Sequence, residues 1–225
     1  RALARRLILE WADVVVDNFT AGVMEGWELD YATVASENPE IIMLSLSTFG
    51  RGNPLSSQPG YGPLLTPLVG ITNLTGWPDR DPACPGPFGA YLDFFLPRLA
   101  VFAVVSALDY HARTGKGVYL DIAQFEASMQ LMAPLIMESV ENGHQAQRNG
   151  HDDPTMAPHG VYPCRPEPDA SPGEEGWIAI VASTDAQWEA LKGVMGYPSW
   201  AEEPRFSTTL ERLAHHQEMD DYMAR

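Results

Sequence analysis

The chain has 225 residues, 45% of them hydrophobic and 20% charged, with a formal net charge of −16. That length suits one large domain or two small ones, and that charge argues against a protein that neutralises nucleic-acid phosphates with a broad basic surface. Two cysteines, Cys84 and Cys164, make neither a disulfide framework nor a four-ligand zinc site, and they fit a reducing, cytoplasmic compartment.

The N-terminal run Arg1-Ala2-Leu3-Ala4-Arg5-Arg6 lacks the apolar region and cleavage site of a leader. There is no initiator Met, and the chain opens inside a helical pattern over 2–11, so a fragment missing its first βα units is expected. A β-branched run at 13–17 reads as a buried parallel strand. Thr20-Ala21-Gly22 breaks it. A helix over 24–36 follows, ending near Asn38-Pro39, and 41–46 is the next strand. Residues 49–63 form a loop rich in Gly, Pro and Ser. A helix is expected over 64–74, limited or kinked by Pro67, then a second long loop over 76–89; loops of this length in a compact domain are usually functional.

Pro97 suits the first turn of a helix that runs over 98–112 and stops before Thr114-Gly115. The longest apolar run, 99–108, is too short to span a bilayer, so no membrane partner is expected. A strand at 118–122 and a helix at 124–142 complete the pattern. The alternation predicts an α/β fold: a Rossmann-like parallel sheet in a large domain, with right-handed crossovers, plus a smaller α+β second domain. The expected organisation is 1–142 for the large domain, 143–160 for a polar linker and 161–225 for the start of the small domain. Within the tail, 163–176 reads as an exposed loop and 177–181 as a strand. A helix starts at Asp185, capped by Thr184 or Asp185, and an amphipathic helix covers 211–223.

One carboxylate stands out. Asp93 sits in Gly89-Ala90-Tyr91-Leu92-Asp93-Phe94-Phe95-Leu96-Pro97. An acid flanked by Leu and two Phe residues, if buried, must be paired, capping or functional. Capping the helix after Pro97 is the plain structural alternative.

Several pieces together resemble class III CoA-transferases, the family of formyl-CoA and crotonobetainyl-CoA transferases. They are Ala12-Asp13-Val14-Val15-Val16-Asp17-Asn18-Phe19, Gly22-Val23-Met24, Asn38-Pro39-Glu40-Ile41-Ile42 and Ser47-Thr48-Phe49-Gly50. Gln58-Pro59-Gly60-Tyr61, Leu74-Thr75-Gly76, Tyr91-Leu92-Asp93 and Arg113-Thr114-Gly115-Lys116-Gly117 with Leu120-Asp121 follow. Ala157-Pro158-His159-Gly160-Val161-Tyr162 and the strand at 177–181 extend the likeness. Their order and spacing, not any single piece, make the resemblance specific.

The resemblance implies that Asp93 is a nucleophile attacking an acyl-CoA thioester, with coenzyme A as co-substrate, a carboxylic acid as acceptor and no metal. It also implies that Asn18-Phe19 contacts CoA and that the whole protein forms an interlocked homodimer. Read without it, Asn18 caps a turn and Phe19 packs in a core. Related racemases of the fold carry a His-Asp pair where this chain has Tyr61-Gly62; a phenol is poorly matched to proton shuttling near neutral pH, so transfer is favoured and Tyr61 is a candidate cofactor contact, with a buried, packing Tyr as the plain alternative. Arg5, Arg6 and Arg51 are candidate phosphate contacts. Two departures stand out: Gly26 where many members carry Arg, and Pro97 where Gly is usual. The rival readings are an α-methylacyl-CoA racemase or intramolecular CoA isomerase, and a non-catalytic acyl-CoA-binding protein. The six histidines show no metal-ligand spacing.

Overall fold

The structure, a computed structural model, describes residues 1–165 and 176–225. Most of the loop expected at 163–176 lies outside the described residues. The chain divides into two compact units, one of 1–76 with 81–148 and one of 77–80 with 149–225. Residues 149–160, expected as linker, lie inside the second unit.

The first unit begins with α1 (Ala2–Glu10) and β1 (Val14–Asp17), then α2 (Val23–Gly26), α3 (Tyr31–Ala35) and β2 (Ile42–Ser47). Next come α4 (Gly62–Leu68), α5 (Ile71–Leu74), α6 (Tyr91–Thr114), β3 (Val118–Ala123) and α7 (Gln124–Asn142). The strands form a parallel sheet in the order β1-β2-β3, with Val14 beside Ile42 and Ile42 beside Val118. Parallel strands joined by helical crossovers are covered on both faces, and β2, at the centre, buries all but one of its residues. Side chains alternate across a strand. Ile41 and Met43 pack with Met24, Leu29 and Val34 on one side. On the other, α6 lies against β2 and β3, and Leu92 and Leu96 join Leu65 and Val69 in a separate cluster.

Three expected helices are divided or shifted. The one expected over 24–36 is two short helices, because Glu28 takes a left-handed backbone (φ 54°) and Asp30 starts a new helix. The Asp30 carboxylate accepts from Thr33 N at 3.1 Å and Thr33 Oγ1 at 2.7 Å, the arrangement of an N-cap. The helix expected over 64–74 starts at Gly62 and breaks at Gly70 (φ 92°). The helix expected from Arg98 starts seven residues earlier, at Tyr91, which puts Pro97 inside α6. There Pro97 cannot donate to the Asp93 carbonyl four residues back. Among the described residues α6, which contains the apolar run 99–108, is by length and composition alone long and apolar enough to cross a bilayer. Leu92, Leu96, Ala100 and Ala107 are buried along it.

The second unit holds an antiparallel pair, β4 (His159–Pro163) with β5 (Trp177–Val181), then α8 (Asp185–Val194), α9 (Thr209–Ala214) and α10 (His216–Met223). Thr184 caps α8 by accepting from Gln187 N at 3.2 Å. The single helix expected over 211–223 is broken at His215 (φ −121°, ψ 23°). Ala157, Ala182, Trp188, Ala201, Phe206 and Met219 form the core. Arg212 is fully buried there; it donates to Ala157 O at 2.7 Å and Asp185 Oδ1 at 2.9 Å and lies over the Trp188 ring.

Candidate active site

In an open parallel sheet the carboxyl ends of the strands are where loops diverge and ligands gather. The pairing register lines up Asp17, Ser45 and Asp121 across β1, β2 and β3 near these ends. Asp17 is buried. It accepts from Ser45 Oγ at 2.6 Å, Phe19 N at 3.1 Å and Arg51 Nη2 at 3.0 Å. The other Arg51 Nη faces Glu25 Oε1 at 3.2 Å, and Arg51 N donates to Asp121 Oδ2 at 3.0 Å. One residue in the loop after β2 therefore ties β1, α2 and β3 together. Burial pushes the Tyr119 phenol above its ordinary value, against a hydrogen bond with Ser45 and the charge of Arg51, which lower it.

Arg51 was a candidate phosphate contact. The structure instead places its guanidinium between two carboxylates, with Nε buried and unpartnered. A charge already satisfied twice is a poor free anchor for a third anion, so Arg51 organises the loop. Arg5 is likewise occupied, by Glu37.

A cavity of about 560 Å³ opens beside β1, lined by Ile8, Val15, Asp17, Phe19, Met24 and Trp27 among others. Phe19 and Trp27 meet edge to face with ring centres 5.3 Å apart. Asn18 is exposed, and its side chain makes no hydrogen bond among the described residues; the α2 turn is closed instead by Glu25 Oε2, which accepts from Gly22 N at 2.9 Å. Phe19 is partly exposed. Neither residue fills the structural part open to it in the sequence. Trp27 escaped the sequence reading because a Trp next to Gly26 at a helix end carries no local sign of lining a cavity.

Asp93 is not part of that cavity lining. It sits in the first turn of α6, two residues after Tyr91. Its side chain is exposed and has no hydrogen-bond or ion-pair partner among the described residues. It is not the N-cap, which is Ala90. A first-turn carboxylate lies at the positive end of the helix macrodipole, beside the N–H groups that the helix leaves unpaired. The approach to that turn is strained: Phe88 holds φ 54°, ψ 22° and projects almost wholly into solvent.

The segment Gly60-Tyr61-Gly62 joins the two regions. A Cβ on Gly60 would lie 1.8 Å from Thr48 Oγ1, just past the end of β2. A Cβ on Gly62 would lie 2.1 Å from Asp93 Oδ2 and 2.6 Å from the Ala90 Cβ. The backbone thus passes bare between the end of β2 and the start of α6. Tyr61 is the one side chain on this strap, and it is 72% exposed. Asn18, Phe19 and Arg51 gather around Asp17; Tyr61 and Asp93 gather around Gly62.

Among the described residues no cluster of His, Cys, Asp and Glu has the makings of a metal site. The CoA-transferase family III model matches residues 1–225. The chain is 33% identical to the succinyl-CoA–D-citramalate CoA-transferase of Chloroflexus aurantiacus, covering 100% of this chain and 53% of that one. It is 32% identical to the acetyl-CoA:oxalate CoA-transferase of Acetobacter aceti, covering 91% and 50%. A crystal structure of a CAIB/BAIF family protein from Brucella suis superposes with a TM-score of 0.83 at 32% identity, over 99% of this chain and 56% of that one. The chain therefore spans about half the length of the curated relatives it matches. Taken with the parallel sheet and the second unit, these matches establish that the chain belongs to CoA-transferase family III.

Proposed function

We propose that the whole protein transfers CoA from an acyl-CoA to a carboxylic acid, with Asp93 as the covalent nucleophile. One observation carries this reading: an exposed carboxylate in the first turn of a long helix, bound to nothing among the described residues. A carboxylate that capped the helix would be engaged with its backbone N–H groups.

The exchange runs in balanced steps. An Asp93 oxygen attacks the thioester carbonyl; the C–S bond breaks, CoA leaves as thiolate and a mixed anhydride remains. The thiolate attacks the aspartyl carbonyl and expels the donor acid as carboxylate, leaving an aspartyl-CoA thioester. The acceptor carboxylate attacks that thioester and again releases the thiolate. Finally the thiolate attacks the acceptor's acyl carbon, forming the new acyl-CoA and freeing Asp93. Covalent catalysis divides one difficult exchange into easier ones. Each tetrahedral oxyanion calls for N–H donors, which the unpaired groups of the first turn of α6 suit.

The cavity beside β1, with Phe19 and Trp27 in its wall and Asn18 next to it, supports CoA binding at the same edge of the sheet. An apolar cavity with a few polar groups is the usual form of a small-molecule site. A homodimer in a reducing, cytoplasmic compartment belongs to the same reading. The outward faces of α6 and α7 support the dimer, since Phe102, Val105, Met137 and Val140 stand exposed there.

Trapping tests the mechanism. Whole protein incubated with acyl-CoA and quenched with hydroxylamine or borohydride should carry its modification on Asp93 by peptide mass spectrometry. Unmodified Asp93 in an enzyme that turns over would sink the reading.

A further inference from the structure

We infer that Gly62 is a positioning residue for the Asp93 carboxylate, an inference that rests on the proposed nucleophilic role of Asp93. Gly62 is buried at the first position of α4. Its carbonyl is held by Thr66 Oγ1 at 3.0 Å, so the backbone at this point is fixed by its own helix. Its backbone has no left-handed φ, so nothing in its conformation requires glycine. On helix propensity alone alanine would be the better residue. The reason for glycine is therefore steric and lies across the gap.

Three atoms of the α6 start would crowd an added methyl: Asp93 Oδ2 at 2.1 Å, the Ala90 Cβ at 2.6 Å and Asp93 Cγ at 2.7 Å. Real Cβ contacts do not approach so closely, so something must move. The Ala90 Cβ is fixed to the backbone at the start of α6. The carboxylate is the end of a side chain with no partner among the described residues, so it swings away from two of the three contacts, while the third presses on the start of α6 that carries it. Gly62 thus acts as a flat backstop that leaves room for the carboxylate in one rotamer, while Gly60 sets the strap against Thr48 at the end of β2. A nucleophile displaced by about 1 Å loses on the order of 100-fold in rate.

Gly62→Ala in the whole protein tests this. We expect kcat to fall on the order of 100-fold, KM for acyl-CoA to stay near wild type, and the trapped Asp93 adduct to form correspondingly slowly. Loss confined to kcat marks an interaction made only at the transition state; a merely structural defect would raise KM along with it. A double-mutant cycle with Asp93→Ala supplies the second readout. The methyl should lower the melting temperature when Asp93 is present and do so much less in the Asp93→Ala background, since two of its three clashes are gone. If Gly62→Ala proves insoluble, recovery of soluble protein in the double variant supports the inference, and continued insolubility overturns it. Wild-type kcat in Gly62→Ala, or strictly additive melting shifts, overturns it too. Those results leave the nucleophile intact provided Asp93→Ala is inactive; full activity in Asp93→Ala would instead remove the reading beneath.

Discussion

Replacing Asp93 by Asn keeps the side chain's shape and removes its nucleophilicity. Because the carboxylate has no partner among the described residues, the fold loses only a favourable first-turn charge, about 0.3–1 kcal/mol. Turnover should fall on the order of 10⁴-fold with little change in the melting curve. An Asn variant that melts far below wild type would show a structural carboxylate instead. The second unit offers the opposite case, an acid that works through its partner. Tyr162 donates to Asp220 Oδ1 at 2.6 Å. Burial pushes the Asp220 carboxyl above its ordinary value; Asp152 and Asp221 add to this, while the Tyr162 hydroxyl and His216 oppose it. Burial likewise pushes the Tyr162 phenol up. The folded state therefore holds the Asp220 proton more tightly than the unfolded chain. Its contribution to stability is full below the ordinary carboxylate range and is lost as pH rises through the raised value. Asp220→Asn keeps an acceptor for Tyr162 and cannot titrate, so the gap between variant and wild-type melting temperatures should widen in the variant's favour from acid to neutral pH. A constant gap would show that Asp220 is not the group responsible.

At the scale of elements, legibility followed how local the cause was. α7 was readable end to end at 124–142 because its apolar period runs unbroken to Gly143. The three parallel strands were readable from β-branched runs between helices. The failures share a non-local cause. β4 carries Gly160 and Pro163, weak strand formers, and exists by pairing with β5. The break at His215 accompanies an edge-to-face contact of its ring with Phe206, which itself meets Tyr222 edge to face. Arg212 sits on an apparently solvated helix and is instead the buried hub of the second unit. The early start of α6 misled through Pro97, which suits a first turn and here lies inside the helix. That position carries a test. An interior proline is about 3 kcal/mol less favourable than alanine, partly offset by the stiffness it gives the unfolded chain. Pro97→Ala should therefore raise the stability of the first unit by roughly 1–2 kcal/mol and restore a donor to the Asp93 carbonyl. Lower stability in denaturant titrations would mean that the ring packs against something the helix needs.

For the molecule as a whole, the family was legible in the sequence and the architecture around the candidate site residues was not. Asp93 and Asn18-Phe19 stood out from motif order, whereas the Asp17–Ser45–Asp121 row and the Gly60–Gly62 strap depend on register and crossing that only three dimensions fix. The same holds for the surface. α6 buries Leu92, Leu96, Ala100 and Ala107 and turns Phe94, Val101, Phe102 and Val105 outward; α7 adds Met137 and Val140. Contiguous exposed apolar faces mark association sites. A bilayer and a second copy make different demands on this face. α6 carries Asp93 and Arg98 near one end and Asp109 and Arg113 near the other, the last two paired at 2.9 Å, and its buried face is already committed to a parallel sheet. The proposed second copy is compatible with those constraints. An unpaired carboxylate in the middle of such an interface costs several kcal/mol, so Val105→Asp should weaken the proposed dimer of the whole protein on the order of 100-fold or more. Light scattering on the eluted peak should then report the monomer mass at micromolar protein. A variant that stays dimeric would move the interface elsewhere, and wild-type protein that floats with neutral lipid vesicles would assign the α6 face to the membrane.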